Sequence, residues 1–320
     1  MSFNYPLAGD TISKNDIDLL RKWLADYPRL TMGELTKEFE IKWAKYIGTK
    51  KSIFVNSGSS ANLLMVYLGL VSGKLKRGDK VIVPSCGWAT TVAPIIQFGL
   101  TPIMVDANKY NFGVDVKKVE EICQSESIKG MIFVHPLGVP CDKNEILFLK
   151  KKYNLFLMED CCASVGAKFA DGTKIGTIGD VSSFSFYFGH QLSTIEGGFV
   201  NTNNDEYYQK MLMLRSHGWV KDVSNDFFKK LDKEWNIDEV NGPFNFIHSG
   251  FNIRGTDLQA FLGLQQLKKA DYIMDARNKN HLRYQQLMHQ KFTFQDWGNA
   301  WPVSLHIGIL AKNRIVRDKV

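Results

Sequence analysis

The sequence lacks the features that mark membrane and secreted proteins. None of its apolar runs reaches the roughly 18–20 residues that a bilayer-spanning helix needs. Residues 1–10 do not join a basic segment to an apolar one, as a secretory signal peptide does. There is also no internal repeat and no low-complexity tract. We therefore expect a globular, cytoplasmic protein that has no membrane partner.

Cysteine is scarce and unevenly placed. The five cysteines are odd in number, and their spacings match no disulfide framework and no zinc pattern. Reduced intracellular thiols fit this usage best, and we expect no metal site. None follows Cys162, so the second half of the chain offers no thiol ligands.

Acidic residues are outnumbered, and the net charge is +7. Such an excess could attract an anionic substrate such as a nucleotide-sugar, or nucleic acid. The lysines, however, lie in small groups that are not interleaved with aromatic residues, which is typical of a solvated surface. We therefore interpret these lysines as part of a solvated surface and expect no nucleic-acid partner.

What the chain does contain is an alternation of short apolar strands and helices. The predicted strands are 52–55, 81–84, 102–106, 131–135 and 155–159, and helices are predicted at 61–70, 90–98, 114–123 and 143–153. Continuous apolar strands separated by helices indicate a mainly parallel sheet that is covered on both faces. The predicted fold class is therefore α/β.

The remaining segments are less regular. Two helices are predicted before the sheet, at 11–27 and 35–47, and two long ones after it, at 257–269 and 271–290. Residues 221–248 show no persistent periodicity and are interpreted as a long loop. Residues 301–310 are predicted to be strand-like and 312–320 helical. At 320 residues two domains are expected, and we place the boundary near residue 255, with a large domain at 1–255 and a smaller one at 256–320.

Three groups of polar or aromatic residues follow predicted strands, where ligands of parallel sheets bind. Asn56–Ser60 join a strand to a helix and could form an anion site, although Ser59 or Ser60 could be a simple N-cap. Trp88 could stack on a flat ring or could be an ordinary buried aromatic residue. Asp160 could pair with a pyridinium nitrogen or cap a following helix. These alternatives remain open from the residues alone.

The most informative stretch is Ser182–Gly198, which reads SSFSFYFGHQLSTIEGG. It resembles the cofactor-anchoring segment of the DegT/DnrJ/EryC1/StrS sugar aminotransferases, which use pyridoxal 5′-phosphate (PLP). That family carries a lysine where His190 stands. An imidazole cannot hold PLP as a Schiff base, but it can move protons near neutral pH.

The resemblance extends from about Tyr5 to the end of the chain, through the segments VNSGSSANLL, PSCGWATT, LMEDCCASVGA, LRSHGW and GFNIRGTDLQ in that order. It is strongest to a dehydratase branch that has histidine at the lysine site and acts on nucleotide-linked 4-keto-6-deoxymannose. The resemblance implies the fold of aspartate aminotransferase (fold type I), with a small C-terminal domain of which only the start is present.

The resemblance also implies a role for each residue of a cofactor site. Gly58, Ser59 and Ser185 would hold the phosphate of PLP or of pyridoxamine 5′-phosphate (PMP). Trp88 would stack on the ring, and Asp160 would meet the pyridine nitrogen.

His190 would be the acid/base. Asn252 would reach the phosphate of a neighbouring subunit, because the family builds its sites across a homodimer interface. His217, Lys221 and Arg254 would bind the nucleotide-sugar, and glutamate would be the amino donor.

Some residues depart from the family pattern. Ala163 stands where relatives carry His, Gln or Glu near the phenolic oxygen of the cofactor. Lys221 replaces an arginine and loses its bidentate fork, which alters the recognition of the substrate. Cys161 and Cys162 replace small or polar residues.

The implied activity is removal of the C3 hydroxyl from a nucleotide-linked 4-keto-6-deoxyhexose, giving a 4-keto-3,6-dideoxy sugar of the kind used in lipopolysaccharide O-antigens, such as colitose. Two alternatives remain: a nucleotide-sugar aminotransferase, and a non-catalytic relic of the fold. A further dehydratase subtype needs an iron–sulfur cluster held by cysteines of the C-terminal half, and the absence of cysteine after Cys162 argues against it.

Overall fold

The computed structural model describes residues 9–237 and 244–319. Residues 238–243 of the predicted loop and Val320 of the predicted last helix lie outside the described residues, as do residues 1–8. No helix in the described part combines the length and the apolar character needed to span a bilayer.

The centre of the fold is a seven-stranded sheet in the order β1-β7-β6-β5-β4-β2-β3. Only β7 runs antiparallel to its two neighbours, so the other six strands point their carboxyl ends to one edge. This confirms the predicted mainly parallel sheet. The strands are β1 (Lys51–Val55), β2 (Lys80–Pro84), β3 (Thr101–Val105), β4 (Ile128–Val134), β5 (Phe156–Asp160), β6 (Val181–Ser185) and β7 (Gly198–Thr202).

Helices cover both faces of the sheet, and each face has its own hydrophobic core. One core gathers aromatic side chains such as Phe39, Trp43 and Phe199, and the other gathers aliphatic side chains around Leu64 and Val83. The helices of this body are α1 (Lys14–Leu24), α2 (Glu34–Ile47), α3 (Gly58–Val71), α4 (Ala89–Gln97), α5 (Val116–Ser125), α6 (Lys143–Tyr153), α7 (Asp205–Arg215), α8 (Asn225–Trp235), α9 (Asp257–Lys268) and α10 (Ala270–Met288).

The prediction of a loop over 221–248 was wrong for its first half, which contains α8. Ser224 caps this helix, its Oγ accepting from the N–H of Phe227 at 3.3 Å. Leu231 is buried with Val220 and Met213, and Phe227 packs on the same small cluster. The apolar spacing of α8 is helical but covers only three turns, and the surrounding polar residues obscured it.

The C-terminal prediction was also partly wrong. Of residues 301–310, only Ile309–Leu310 form a strand (β9), which pairs with Thr293–Phe294 (β8). Trp301 makes an isolated antiparallel bridge to Lys168. The last helix is a single turn, Arg314–Arg317 (α11).

A buried polar cluster fixes the end of β5. The Glu159 carboxylate accepts from the N–H groups of Gly176, Ile178 and Gly179, and it lies 3.0 Å from His135 Nε2. Because His135 Nδ1 accepts from the N–H of Cys141, Nε2 is the donor to Glu159. The side chains of His135, Glu159 and Cys161 lie close enough together to be candidate metal ligands. The imidazole and carboxylate are engaged by protein groups, which favours a structural role over metal binding.

We expect Glu159→Gln to lower the free energy of unfolding by about 3 kcal/mol or more, because an amide N–H₂ would face backbone donors in a dry site. Burial raises the pKa of Glu159, and the bonds from His135 and the backbone more than offset this, so its pKa lies below the ordinary 4.5. The difference from wild type should therefore persist above pH 4.5 and shrink as the pH falls through the depressed pKa. Urea unfolding over this range measures it, with the exposed Glu121→Gln as control; equal stabilities at neutral pH would contradict the role.

Candidate functional site

Asp160 ends β5 at the edge where the parallel strands terminate, and it is only 3% exposed. One carboxylate oxygen accepts from Asn62 Nδ2 at 2.9 Å and from Thr91 Oγ1 at 2.8 Å. The other oxygen accepts from the N–H of Cys162 at 3.0 Å. No helix follows directly, so the alternative of a helix N-cap is wrong. Three donors, from α3, from α4 and from the turn after β5, instead hold a buried negative charge in a fixed direction.

The N-terminus of α3 lies beside the end of β6. Ser57, and neither Ser59 nor Ser60, is the N-cap, its Oγ accepting from the N–H of Ser60. A Cβ at Gly58 would lie 2.6 Å from the Cβ of Ser185, so only glycine permits this approach. The free N–H groups of the helix and the nearby hydroxyls of Ser59 and Ser185 favour an anion.

Trp88 precedes α4 and is 76% exposed, so its reading as a buried aromatic residue is wrong. The second and third residues of α4 are hydrogen-bonded to the site. Thr90 Oγ1 accepts from Ser59 Oγ at 3.2 Å, and Thr91 Oγ1 donates to Asp160. The indole is therefore an exposed flat surface. It lies at the N-terminal end of α4, which hydrogen bonds join to Ser59 and to Asp160.

His190 lies in the turn between β6 and β7 and is half-buried. Its Nδ1 contacts the carbonyl oxygen of Cys162 at 2.5 Å, and since a carbonyl only accepts, Nδ1 carries the proton and Nε2 is the basic atom. Burial lowers the pKa of His190, which the Cys162 carbonyl and Asp160 partly oppose and the charges of Arg277 and His306 reinforce. The imidazole is therefore predominantly neutral at neutral pH.

These residues form one group. Cys162 links Asp160, through its N–H, to His190, through its carbonyl, while its Sγ would lie 3.1 Å from a Cβ at Gly58. PLP has a phosphate, a flat ring, a basic ring nitrogen and a reactive carbon. The helix end suits the phosphate and the exposed indole suits the ring. The buried carboxylate suits the ring nitrogen, and the imidazole suits the reactive carbon. The residues present therefore fit this cofactor.

The predicted substrate residues occupy another surface. His217, Lys221 and Arg254 line a cleft of about 1420 Å³ beside α2, and none of the residues lining it is from the group around Asp160 and His190. Asn252 is exposed and pairs with Ser216. Within the described part of a single chain, the structure does not bring these four residues to His190.

Sequence reasoning missed several residues of the site. Asn62 bonds Asp160 and accepts from Ser183 Oγ at 2.6 Å, and Thr91 bonds the same carboxylate. A signal was present, since Asn62 lies one helical turn after Gly58 and Thr91 follows Trp88 by three residues. The contacts of Gln191, which follows His190, were also missed: its Nε2 donates to the carbonyls of Ala163 and Val303, which are distant in the sequence.

Comparison with known proteins gives a consistent result. The model of the DegT/DnrJ/EryC1/StrS aminotransferase family matches residues 10–311. The chain is 35% identical over 286 residues to a GDP-4-keto-6-deoxy-D-mannose 3-dehydratase of Yersinia pseudotuberculosis, covering 89% of this chain and 72% of that protein. A GDP-perosamine synthase of Caulobacter vibrioides is 33% identical over 249 residues, covering 78% and 60%.

Solved structures agree with these sequence matches. The Escherichia coli GDP-4-keto-6-deoxy-D-mannose-3-dehydratase with bound hydrated PLP superposes with a TM-score of 0.86 at 29% identity, covering 98% of this chain and 80% of that one. A structure of GDP-4-keto-6-deoxymannose-3-dehydratase with a trapped PLP-glutamate geminal diamine gives a TM-score of 0.85, also at 29% identity, with 99% and 82% covered.

Proposed function

The chain belongs to the DegT/DnrJ/EryC1/StrS aminotransferase family, a PLP-dependent family that modifies nucleotide-sugars, and from this premise we propose that it is a sugar 3-dehydratase. Its substrate would be a nucleotide-linked 4-keto-6-deoxyhexose, and its product the 4-keto-3,6-dideoxy sugar. The observation that carries the proposal is the His190 imidazole, whose Nδ1 is bound to the Cys162 carbonyl so that Nε2 is the basic atom. It lies in the segment that resembles the one where the aminotransferases of the family carry a lysine.

Different residues of the chain would move the proton, stabilise the charge on the cofactor ring and hold the phosphate. When bound as PMP, the cofactor would supply an amine for the 4-keto group, a ring that accepts electrons and, by its oxidation to PLP, the two electrons that replace the C3 hydroxyl with hydrogen. His190 Nε2 would remove a proton beside this ring and could return it to the departing C3 hydroxyl. The Asp160 carboxylate, held by three donors, would stabilise a positive charge on the ring nitrogen. The helix end at Gly58 and Ser59 would hold the phosphate.

We further propose that the active enzyme is a homodimer. His217, Lys221 and Arg254 line a cleft that does not include His190, and Asn252 pairs with Ser216. A second copy would supply these residues to the site. Glutamate would regenerate the amine of the cofactor, as in the relative with a trapped PLP-glutamate adduct. Residues 256–320 would belong to the small domain.

The test is incubation of the PMP-loaded protein with GDP- and CDP-4-keto-6-deoxyhexoses and glutamate, followed by mass spectrometry. A sugar product that is lighter by one oxygen atom, with release of ammonia and oxidation of PMP to PLP, is the expected result, and the preferred nucleotide identifies the substrate. A product that gains an amino group instead would reject the dehydratase proposal.

A sugar aminotransferase is the second candidate, favoured by the match to GDP-perosamine synthases. It would have to release its product without a lysine at position 190. An absence of both PLP and PMP binding, seen in the absorption spectrum, would reject both activities and favour a non-catalytic relic.

We expect Trp88→Ala to weaken cofactor binding about tenfold while leaving the melting temperature unchanged. Stacking on a flat ring contributes about 0.5–1.5 kcal/mol, and the exposed indole contributes little to the core. Titration of the apoprotein with PLP, followed by absorbance, measures the affinity. Trp235→Ala, which removes another exposed indole, is the control; equal affinities in the two variants would contradict stacking.

A further inference from the structure

Gln191 follows His190 directly and is completely buried. Its Nε2 donates to the carbonyl oxygen of Ala163 at 2.8 Å and to that of Val303 at 3.1 Å. Because both partners are acceptors, the orientation of the amide is fixed: only the N–H₂ side can face them. One side chain thus joins three segments that are distant in the sequence.

The first of these segments orients the imidazole. Ala163 follows Cys162, whose carbonyl accepts from His190 Nδ1 and whose N–H donates to Asp160. The bond from Gln191 to Ala163 therefore restrains the peptide group next to the one that selects the tautomer of His190.

The second segment, residues 301–305, is here called the C-terminal strap. It is anchored along its whole length. Val303 is fully buried, and a Cβ on Gly138 would lie 2.0 Å from its carbonyl oxygen. The other bonds of the strap join Trp301 to Lys168, Val303 N–H to Gly138, Leu305 N–H to Leu137, Asn278 to Pro302 and Arg277 to Ser304. The strap is a firm support for the amide of Gln191.

We propose that Gln191 is a positioning residue for His190. By clamping the Cys162–Ala163 segment to the C-terminal strap, it keeps the Cys162 carbonyl in line with Nδ1 and so presents Nε2 as the atom that moves the proton. The inference rests on the proposed acid/base role of His190. It adds that residues beyond 300 determine the orientation of that imidazole.

The test uses Gln191→Met, which keeps the length of the side chain and removes its donors. In PLP-loaded protein labelled with ¹⁵N-histidine, the His190 signals are identified by their loss in His190→Asn. We expect wild type to show a protonated Nδ1 and an unprotonated Nε2 at neutral pH, and the variant to show a mixture of tautomers. Turnover of the nucleotide-sugar should fall about 10–100-fold with KM within twofold, because a small misplacement of a reacting group can cost about 10²-fold.

Gln295→Met is a matched control. Gln295 is also buried, and its Nε2 also donates to two backbone carbonyls, those of Asn111 and Pro136, which do not contact His190. Gln295→Met should lower the stability of the protein about as much as Gln191→Met does, but it should keep the wild-type tautomer of His190 and the wild-type turnover. Gln191→Glu, which is isosteric and places a carboxylate against two carbonyls, should resemble Gln191→Met.

The proposal would be overturned if His190 kept its wild-type tautomer in both Gln191 variants. It would also be overturned if the turnover of these variants equalled that of Gln295→Met. A shifted tautomer in a protein whose wild type performs no dehydration would support the clamp and reject only the proposed function.

Discussion

Replacing His190 with asparagine is expected to abolish dehydration while leaving the cofactor bound. A positioned acid/base contributes about 10²–10⁴ in rate, and no other imidazole contacts the Cys162–Asp160 pair in the described part of the chain. The phosphate and ring contacts involve other residues, so the absorption spectrum with PLP should be preserved. Conversion of the nucleotide-sugar to a product that is lighter by one oxygen atom, followed by mass spectrometry, measures the loss.

The pH profile gives an independent check on the same residue. Burial lowers the pKa of His190, so its neutral, basic form persists below the ordinary pKa of 6.5. The acid limb of kcat/KM should therefore lie below pH 6.5. The exposed His289→Asn should keep both the rate and this limb; near-normal turnover in His190→Asn would reject the assignment.

Asp160→Asn is expected to have the second large effect, lowering turnover by about 10²-fold or more. The amide would remove the negative charge that a protonated ring nitrogen needs, and such electrostatic stabilisation is often worth about 10²–10³ in rate. It would also place an N–H₂ among the donors of Asn62, Thr91 and Cys162, at a cost of about 1–3 kcal/mol in stability.

The matched control is Asp106→Asn, since Asp106 also follows a parallel strand but is exposed. Stopped-flow absorbance of the loaded enzyme separates the two effects of Asp160→Asn, because lost stability lowers the amount of folded protein while lost charge slows each turnover. A variant that binds PLP and turns over at the wild-type rate would show that Asp160 is only structural.

Much of the central sheet was predictable from the sequence, because its parallel strands are continuous apolar runs followed by small or polar residues. Asp160 and Gly58 could be placed at one edge for this reason. The resemblance of Ser182–Gly198 to the cofactor segment of the family then predicted a PLP-dependent enzyme.

Other features could not be read from local patterns. The link between Gln191 and Val303 depends on tertiary contact between residues more than 100 positions apart. Helix α8 was missed because its apolar face packs on a small satellite cluster rather than on the main core. The separation of His217, Lys221 and Arg254 from His190 could not be seen either, because sequence order does not reveal which surface a loop reaches.

The antiparallel direction of β7 has a consequence for how the chemistry of this fold can change. Ser185, the last residue of β6, is paired with Gly198, the first residue of β7. The segment that carries His190 therefore leaves the sheet and returns to it at directly paired residues. Both ends of the turn are thus held by main-chain bonds that do not depend on the side chain at position 190. The side chain at position 190 can therefore be replaced without rebuilding the backbone of the turn.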